Sequence, residues 1–165
     1  MPTILLTPSA ATFKNEDFPS RRIIQPGSGD FPTEVLGFDP GSNEYAYWQF
    51  ALSDYTSGDI TLTLFWFAED AGSGNVKWNA SMAAITPDVH DADIIDKELG
   101  TGVEEEDDHE QNADKQIHAA VITLDETANI DSAASGDFVA LQIYRNSADT
   151  MNNDANLMMI SVSYS

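Results

Sequence analysis

The chain has 165 residues, 42% of them hydrophobic and 10% aromatic, with 28 Asp and Glu against 7 Lys and Arg, a net charge of −21 and no cysteine. That length suits one domain whose core holds without staples, and the missing thiols exclude disulfides and cysteine-ligated metal centres. So large an acid excess argues against binding a nucleic-acid backbone, which needs clustered cations, while the apolar content argues against intrinsic disorder.

The N-terminus carries neither a basic start nor a long apolar run, and no segment approaches the roughly 20 apolar residues of a membrane span. A soluble protein made without Sec export is therefore expected. The acid excess then decorates a folded surface, as suits a saline environment or a protein that must stay soluble at high copy number.

Residues 1–32 hold prolines at 2, 8, 19, 26 and 32 and only short apolar stretches such as Ile23 and Ile24. Proline at that density removes ladder donors, so this part reads as an extended N-terminal arm or edge segment ahead of a β-sandwich domain, residues 33–165. Phe13, Phe18, Ile23, Ile24 and Phe31 make it too apolar for a linker. Together with Arg21 and Arg22, the chain's adjacent basic pair, they are candidates for packing on the domain itself or on a neighbouring subunit.

From Thr33 the chain alternates with the period of strands. Strands are expected at 33–38, 44–52, 60–68, 75–85, 116–124, 137–146 and 156–164, and one N-terminal strand brings the count to about eight. The clearest runs from Ile60, with Ile60, Leu62, Leu64 and Trp66 on one face and Thr61 and Thr63 on the other. Phe65 and Phe67 follow on the threonine side, so one end of that sheet is apolar on both faces and calls for a cover, either the arm or another subunit. Turn residues at 39–43, 53–58, 71–74 and 135–137 separate the strands. The expected fold is all-β, an antiparallel jelly-roll or Greek-key sandwich.

Residues 86–115 resist the pattern. Their acids, including the run from Glu104 to Asp108, leave too few apolar positions for a central strand. The region reads as an acidic loop insertion with a helical turn over 91–99, and a second turn is expected near 126–131.

No catalytic motif of recognisable spacing occurs. The chain has no Gly-x-Ser-x-Gly elbow, no His-x-His pair and no calcium-binding loop pattern, so catalytic residues, metal ligands and cofactors are all assigned as none. His109 and His118 beside the acidic run invite a metal reading that their spacing does not support, as do His90 and His118 for a cupin-type site. The aromatics Trp48, Trp66, Trp78, Tyr45, Tyr47, Tyr55, Phe65 and Phe67 cluster in three successive strands. A flat row of them could stack on sugar rings, and such glycan binding would leave Trp48 or Trp78 exposed in a shallow groove; packing in the core is the competing role.

The stretches Tyr47–Leu52, Gly58–Trp66, Gly74-Asn-Val-Lys-Trp78 and Gly136–Arg145 together resemble jelly-roll proteins of tailed-bacteriophage virions, above all capsid cement or decoration proteins. The resemblance covers residues 44–165 apart from the acidic loop, and its marks are structural. It implies a non-enzymatic homotrimer on the capsid exterior, made in the host cytoplasm, that braces the major capsid protein through multivalent contacts, with Phe13, Phe18, Arg21, Arg22, Ile23, Ile24 and Phe31 as capsid-binding or subunit-interface residues, and without nucleic acid or membrane. The alternative expectation is a carbohydrate-binding jelly-roll domain of a phage tail or fibre.

Overall fold

A computed structural model describes residues 2–25, 27–70, 73–89, 96–109 and 115–165. Among the described residues ten strands form: β1 (Thr3–Leu6), β2 (Ser20–Ile24), β3 (Thr33–Phe38), β4 (Glu44–Ala51), β5 (Ile60–Phe67), β6 (Asn75–Ile85), β7 (Val103–Asp108), β8 (His118–Leu124), β9 (Phe138–Arg145) and β10 (Ala155–Ser163). A 3-10 turn, Pro8–Ala10, follows β1, with Pro8 supplying the fixed φ that starts it.

Two antiparallel sheets result. One has six strands in the order β2-β3-β10-β5-β8, with β1 also paired to β10; the other has four, β4-β9-β6-β7. β3 pairs with residues 155–157 and β1 with residues 160–163, so the two succeed one another along one side of β10 while β5 runs along the other. The expected all-β antiparallel sandwich is the observed architecture.

Side-chain alternation builds the core between the sheets. From the six-stranded sheet come Ile60, Leu62, Leu64 and Trp66 of β5, Ile160 and Val162 of β10 and Ile122 and Leu124 of β8, all buried. Opposite them, Trp48, Trp78, Met82, Val139, Leu141 and Ile143 project from β4, β6 and β9. The Trp78 ring meets Phe38 edge-on at 5.2 Å and Trp66 at 6.2 Å, an arrangement favoured by the ring quadrupoles.

Residues 1–32 contribute β1 and β2 to the six-stranded sheet, and residues between them lie along the free edge of β4, where Thr12 and Tyr47 exchange backbone hydrogen bonds of 2.7 and 3.0 Å. Of the expected interface residues, Phe13 packs against the core and lies 5.8 Å from Phe18, ring to ring. Arg21 stacks over Phe13 at 5.2 Å and donates to the Ala11 carbonyl at 2.8 Å. Arg22 pairs with Glu69 and Asp154 and donates to Asn156 Oδ1 at 2.7 Å, so both arginines are engaged inside the chain. Phe18, Ile23 and Phe31 are exposed, whereas Ile24 is half-buried.

The acidic run departs from the sequence reading. Glu104 to Asp108 is not loop but most of β7, paired with β6 from Asn75↔Asp108 to Ala80↔Val103. An outermost strand needs no apolar face: Val103 alone packs on the core, and charge on a free edge discourages pairing with other chains. The expected turn at 91–99 falls largely outside the described residues. The expected turn at 126–131 is present, opened by Asp125, whose Oδ1 accepts from the Thr127 amide at 2.8 Å. The Thr127 hydroxyl, which donates to the same oxygen at 2.6 Å, and that amide together hold the Asp125 carboxyl below its ordinary range.

Candidate functional site

The three tryptophans that would have formed an exposed sugar-stacking row are interior, each at most 1% exposed. Trp48 donates its indole N–H to the Thr7 carbonyl at 2.8 Å and Trp66 donates to Asp107 Oδ2 at 2.6 Å, satisfying groups that burial would otherwise strand. Neither Trp48 nor Trp78 can meet a ligand.

The same alternation that turns Trp48 inward turns Tyr45, Tyr47 and Gln49 outward, onto the exposed face of the four-stranded sheet. The register then sets them in rows across the sheet. Tyr45, Tyr144 and Asn79 stand opposite one another, next come Tyr47, Gln142 and Ser81, and then Gln49, Ala140 and Ala83. Tyr45 and Tyr144 have ring centroids 5.0 Å apart, and Gln142 Nε2 donates to the Tyr47 hydroxyl at 2.7 Å. Burial pushes the Tyr144 hydroxyl above the ordinary tyrosine range, so it stays a neutral phenol. Gly102 fits beside the second row because it lacks a side chain: a Cβ there would lie 2.5 Å from Asn79 Oδ1 and 2.6 Å from Ser81 Oγ.

A groove of about 390 Å³ crosses this face, floored by Tyr47, Gln49, Ala83, Ile85, Phe138 and Ala140. Along β4 its wall carries Lys14, whose ammonium lies 5.5 and 5.6 Å from the Tyr45 and Tyr47 ring centres. The opposite wall is the segment of Lys97, Glu98 and Leu99 beside β6. That wall is tied down, because Gly100 N–H donates to the Met82 carbonyl at 2.9 Å and Lys97 Nζ pairs with Asp131 at 2.8 Å. An open face of adjacent aromatic rings, side-chain amides and hydroxyls can stack on and hydrogen-bond to a flat, polyhydroxylated ligand.

The fold also brings His109 and His118 together, Nδ1 to Nε2 at 3.2 Å, with His118 stacked on Trp66 at 4.6 Å. His109 is buried and its Nε2 has no hydrogen-bond partner. Among the described residues no three side chains gather as a metal-holding group, and His90 lies outside those residues.

A second groove of about 230 Å³ lies on the outer face of the six-stranded sheet, lined by Ile24, Phe31, Phe67, Ile117 and Met158. Phe67 is thus covered partly by the N-terminal residues Ile24 and Phe31, which answers the two-sided hydrophobicity of β5.

Comparison with family models and with curated proteins finds no match. Among solved structures the chain is similar to the CBM35 of Cellvibrio japonicus Abf62, at 15% identity over 98% of this chain and 93% of that one, with a TM-score of 0.53. It is similar too to a family 35 carbohydrate binding module from Clostridium thermocellum, at 11% identity over the full length of both, TM-score 0.53. A third is the CBM36-1 domain of a multidomain xylanase from the hindgut metagenome of Trinervitermes trinervoides, at 12% identity over 99% of this chain and 98% of that domain, TM-score 0.50. At such identities the likeness establishes the jelly-roll β-sandwich fold.

Proposed function

We propose that this chain is a non-catalytic glycan-binding domain that holds a sugar chain across the outer face of β4, β9 and β6. The observation that carries the reading is the row pattern of that face: half-buried Tyr45, Tyr47 and Tyr144 and exposed Gln49 beside the nearly buried Gln142, Asn79 and Ser81, with Tyr47 and Gln49 flooring the groove between two tethered walls. Tyrosine suits the task because its ring stacks on the apolar face of a pyranose while its hydroxyl bonds to the sugar's own. The fold shared with carbohydrate-binding modules supports the reading.

Affinity electrophoresis against a panel of soluble polysaccharides tests it. At least one polymer is expected to retard the wild type, and Tyr47→Ala should weaken that retardation by about tenfold or more, the loss of one stacked ring and its hydroxyl. Retardation by none of the panel, or an unaffected Tyr47→Ala protein, would count against the proposal.

A second reading, a virion cement protein that trimerises and clamps the major capsid protein, draws support from the other sheet. There the exposed Phe31 and Ile117 adjoin Phe67 in an apolar area that a neighbouring protein could cover. Equilibrium sedimentation discriminates: a trimer of the 18.0 kDa chain favours this reading, and a monomer at high concentration opposes it.

A further inference from the structure

We propose that two copies of this chain associate face to face through the outer surface of the six-stranded sheet, about a two-fold axis. Their four-stranded sheets then point outward on opposite sides.

Strand register lays that surface out in rows. Alternation sends Leu62, Leu64, Ile122, Ile160 and Val162 into the core, so their neighbours along β5, β8 and β10 point outward. One row across β1, β10, β5 and β8 reads Thr3, Ser163, Thr61 and Thr123, and the next reads Leu5, Ser161, Thr63 and Val121. A third, across β10, β5 and β8, reads Met159, Phe65 and Ala119. None of these residues is charged, on a chain of net charge −21. Leu5 and Val121 are 59% and 48% exposed, and the groove of Phe31, Phe67 and Ile117 continues the face. Most of the large apolar side chains exposed among the described residues therefore lie here.

Charge and pattern together select the occupant. A molecule with so many excess acids repels its own copies wherever acids meet, so self-association is confined to a face without them. Complementary charge, the usual means of choosing a different protein, is missing from the rows. The rows are instead their own complement. An axis along the strands, midway between β10 and β5, lays each row on itself reversed: Leu5 meets the partner's Val121, Ser161 the partner's Thr63 and Met159 the partner's Phe65. In the first row hydroxyl meets hydroxyl throughout. Sheets stack in this way about 10 Å apart, with strands within about 30° of each other.

The size of the face sets the strength. Four strands about 4.8 Å apart and three rows about 6.7 Å apart cover roughly 400 Å² per copy, half the roughly 800 Å² of a standard interface. Even with the adjoining groove, association is reversible, with a Kd on the order of 10–100 µM. Asp59 and Asp125, just outside the ends of β5 and β8, close the face at one end. Set against their own counterparts they oppose the dimer, so salt, by screening them, tightens it. On the glycan reading the dimer holds two sugar chains at once, but the association does not depend on that reading.

Equilibrium sedimentation of the intact chain from about 1 to about 300 µM, in about 0.1 M and about 1 M NaCl, tests this. The mass should rise from the 18.0 kDa monomer toward twice that value, and at lower concentration in high salt. Leu5→Lys and Val121→Glu lie at exposed positions, so each should keep the urea midpoint of the wild type while weakening association about tenfold or more. Combined in one chain they should restore it, because the two-fold sets each new cation against the partner's new carboxylate. Within a chain the two positions are three strand spacings apart, about 14 Å, too far to pair. A monomer throughout overturns the proposal, as does a trimer, which supports the cement reading instead. A dimer untouched by either single substitution overturns the choice of face, and loss in both without recovery in the double variant overturns the two-fold pairing.

Discussion

Arg145 is fully buried, and what surrounds it explains how the sandwich tolerates a charge inside. Its Nε and NH2 donate to Asp149 at 2.7 and 3.0 Å, while further donors reach the carbonyls of Phe38, Asn153 and Met151. The planar guanidinium thereby ties the end of β9 to the loop before β10 and to the end of β3, a role its rigid fork of donors suits better than a lysine. Arg145→Ala leaves Asp149 uncompensated along with three orphaned carbonyls, and is expected to lose about 3–5 kcal/mol in urea unfolding. A loss below about 1 kcal/mol would mean that the buried pair contributes little beyond its desolvation cost. At the same scale the tyrosines of the proposed site differ from the tryptophans only by parity along β4. Tyr45 and Tyr47 share one phase, Ala46 and Trp48 the other, so the alternation contains the signal that separates site from core. What the sequence lacks is the sheet order that sets Tyr144 and Gln142 beside them, since those residues lie some 95 positions further along the chain.

Most of the strands were legible because burying one face imposes a period of two. The alternation over Ile60–Phe67 and Asn75–Ile85 marks β5 and β6 with the observed bounds or one residue beyond them. β7 was not legible, because an edge strand can be held by pairing alone. Asn75 pairs its amide with Glu106, Asn146 donates to Glu104 at 2.7 Å, and the main-chain ladder to β6 does the rest. A side-chain hydrogen bond ties this acidic strand to the other sheet: Asp107 turns in to accept the Trp66 indole N–H. Asp107→Ala strands that donor and is expected to destabilise the fold by about 1–3 kcal/mol, read as a lower urea midpoint. An unchanged midpoint would show that another group or water satisfies the indole. β1 and β2 were compressed to a single expected strand because prolines and short apolar runs blur the period; both are brief, β1 gaining its place by pairing with the distant β10 and β2 by pairing with its neighbour β3.

At the scale of the molecule, the core and the charge pull in opposite directions. Trp48, Trp66 and Trp78 with their aliphatic neighbours give a dense interior, while 21 excess negative charges repel one another across the surface. Raising NaCl from about 0.1 M to about 1 M shortens the screening length from about 10 Å to about 3 Å, so the melting temperature should climb with salt; a flat or falling trend would place the repulsion too far apart to matter. The proposed binding face was less legible than the fold, because alternation separates Tyr45 and Tyr47 from Trp48 along β4 but only the assembled sheets show which phase faces the core and bring Tyr144 and Gln142 alongside. The central claim, that sugars are held on the outer face of the four-stranded sheet, is tested most directly by following backbone amide shifts in NMR as an oligosaccharide of a retained polymer is added. Shifts concentrated at Tyr45, Tyr47, Asn79, Gln142 and Tyr144 are the expected result; shifts confined to the six-stranded sheet or to the loops, with that face silent, would contradict it.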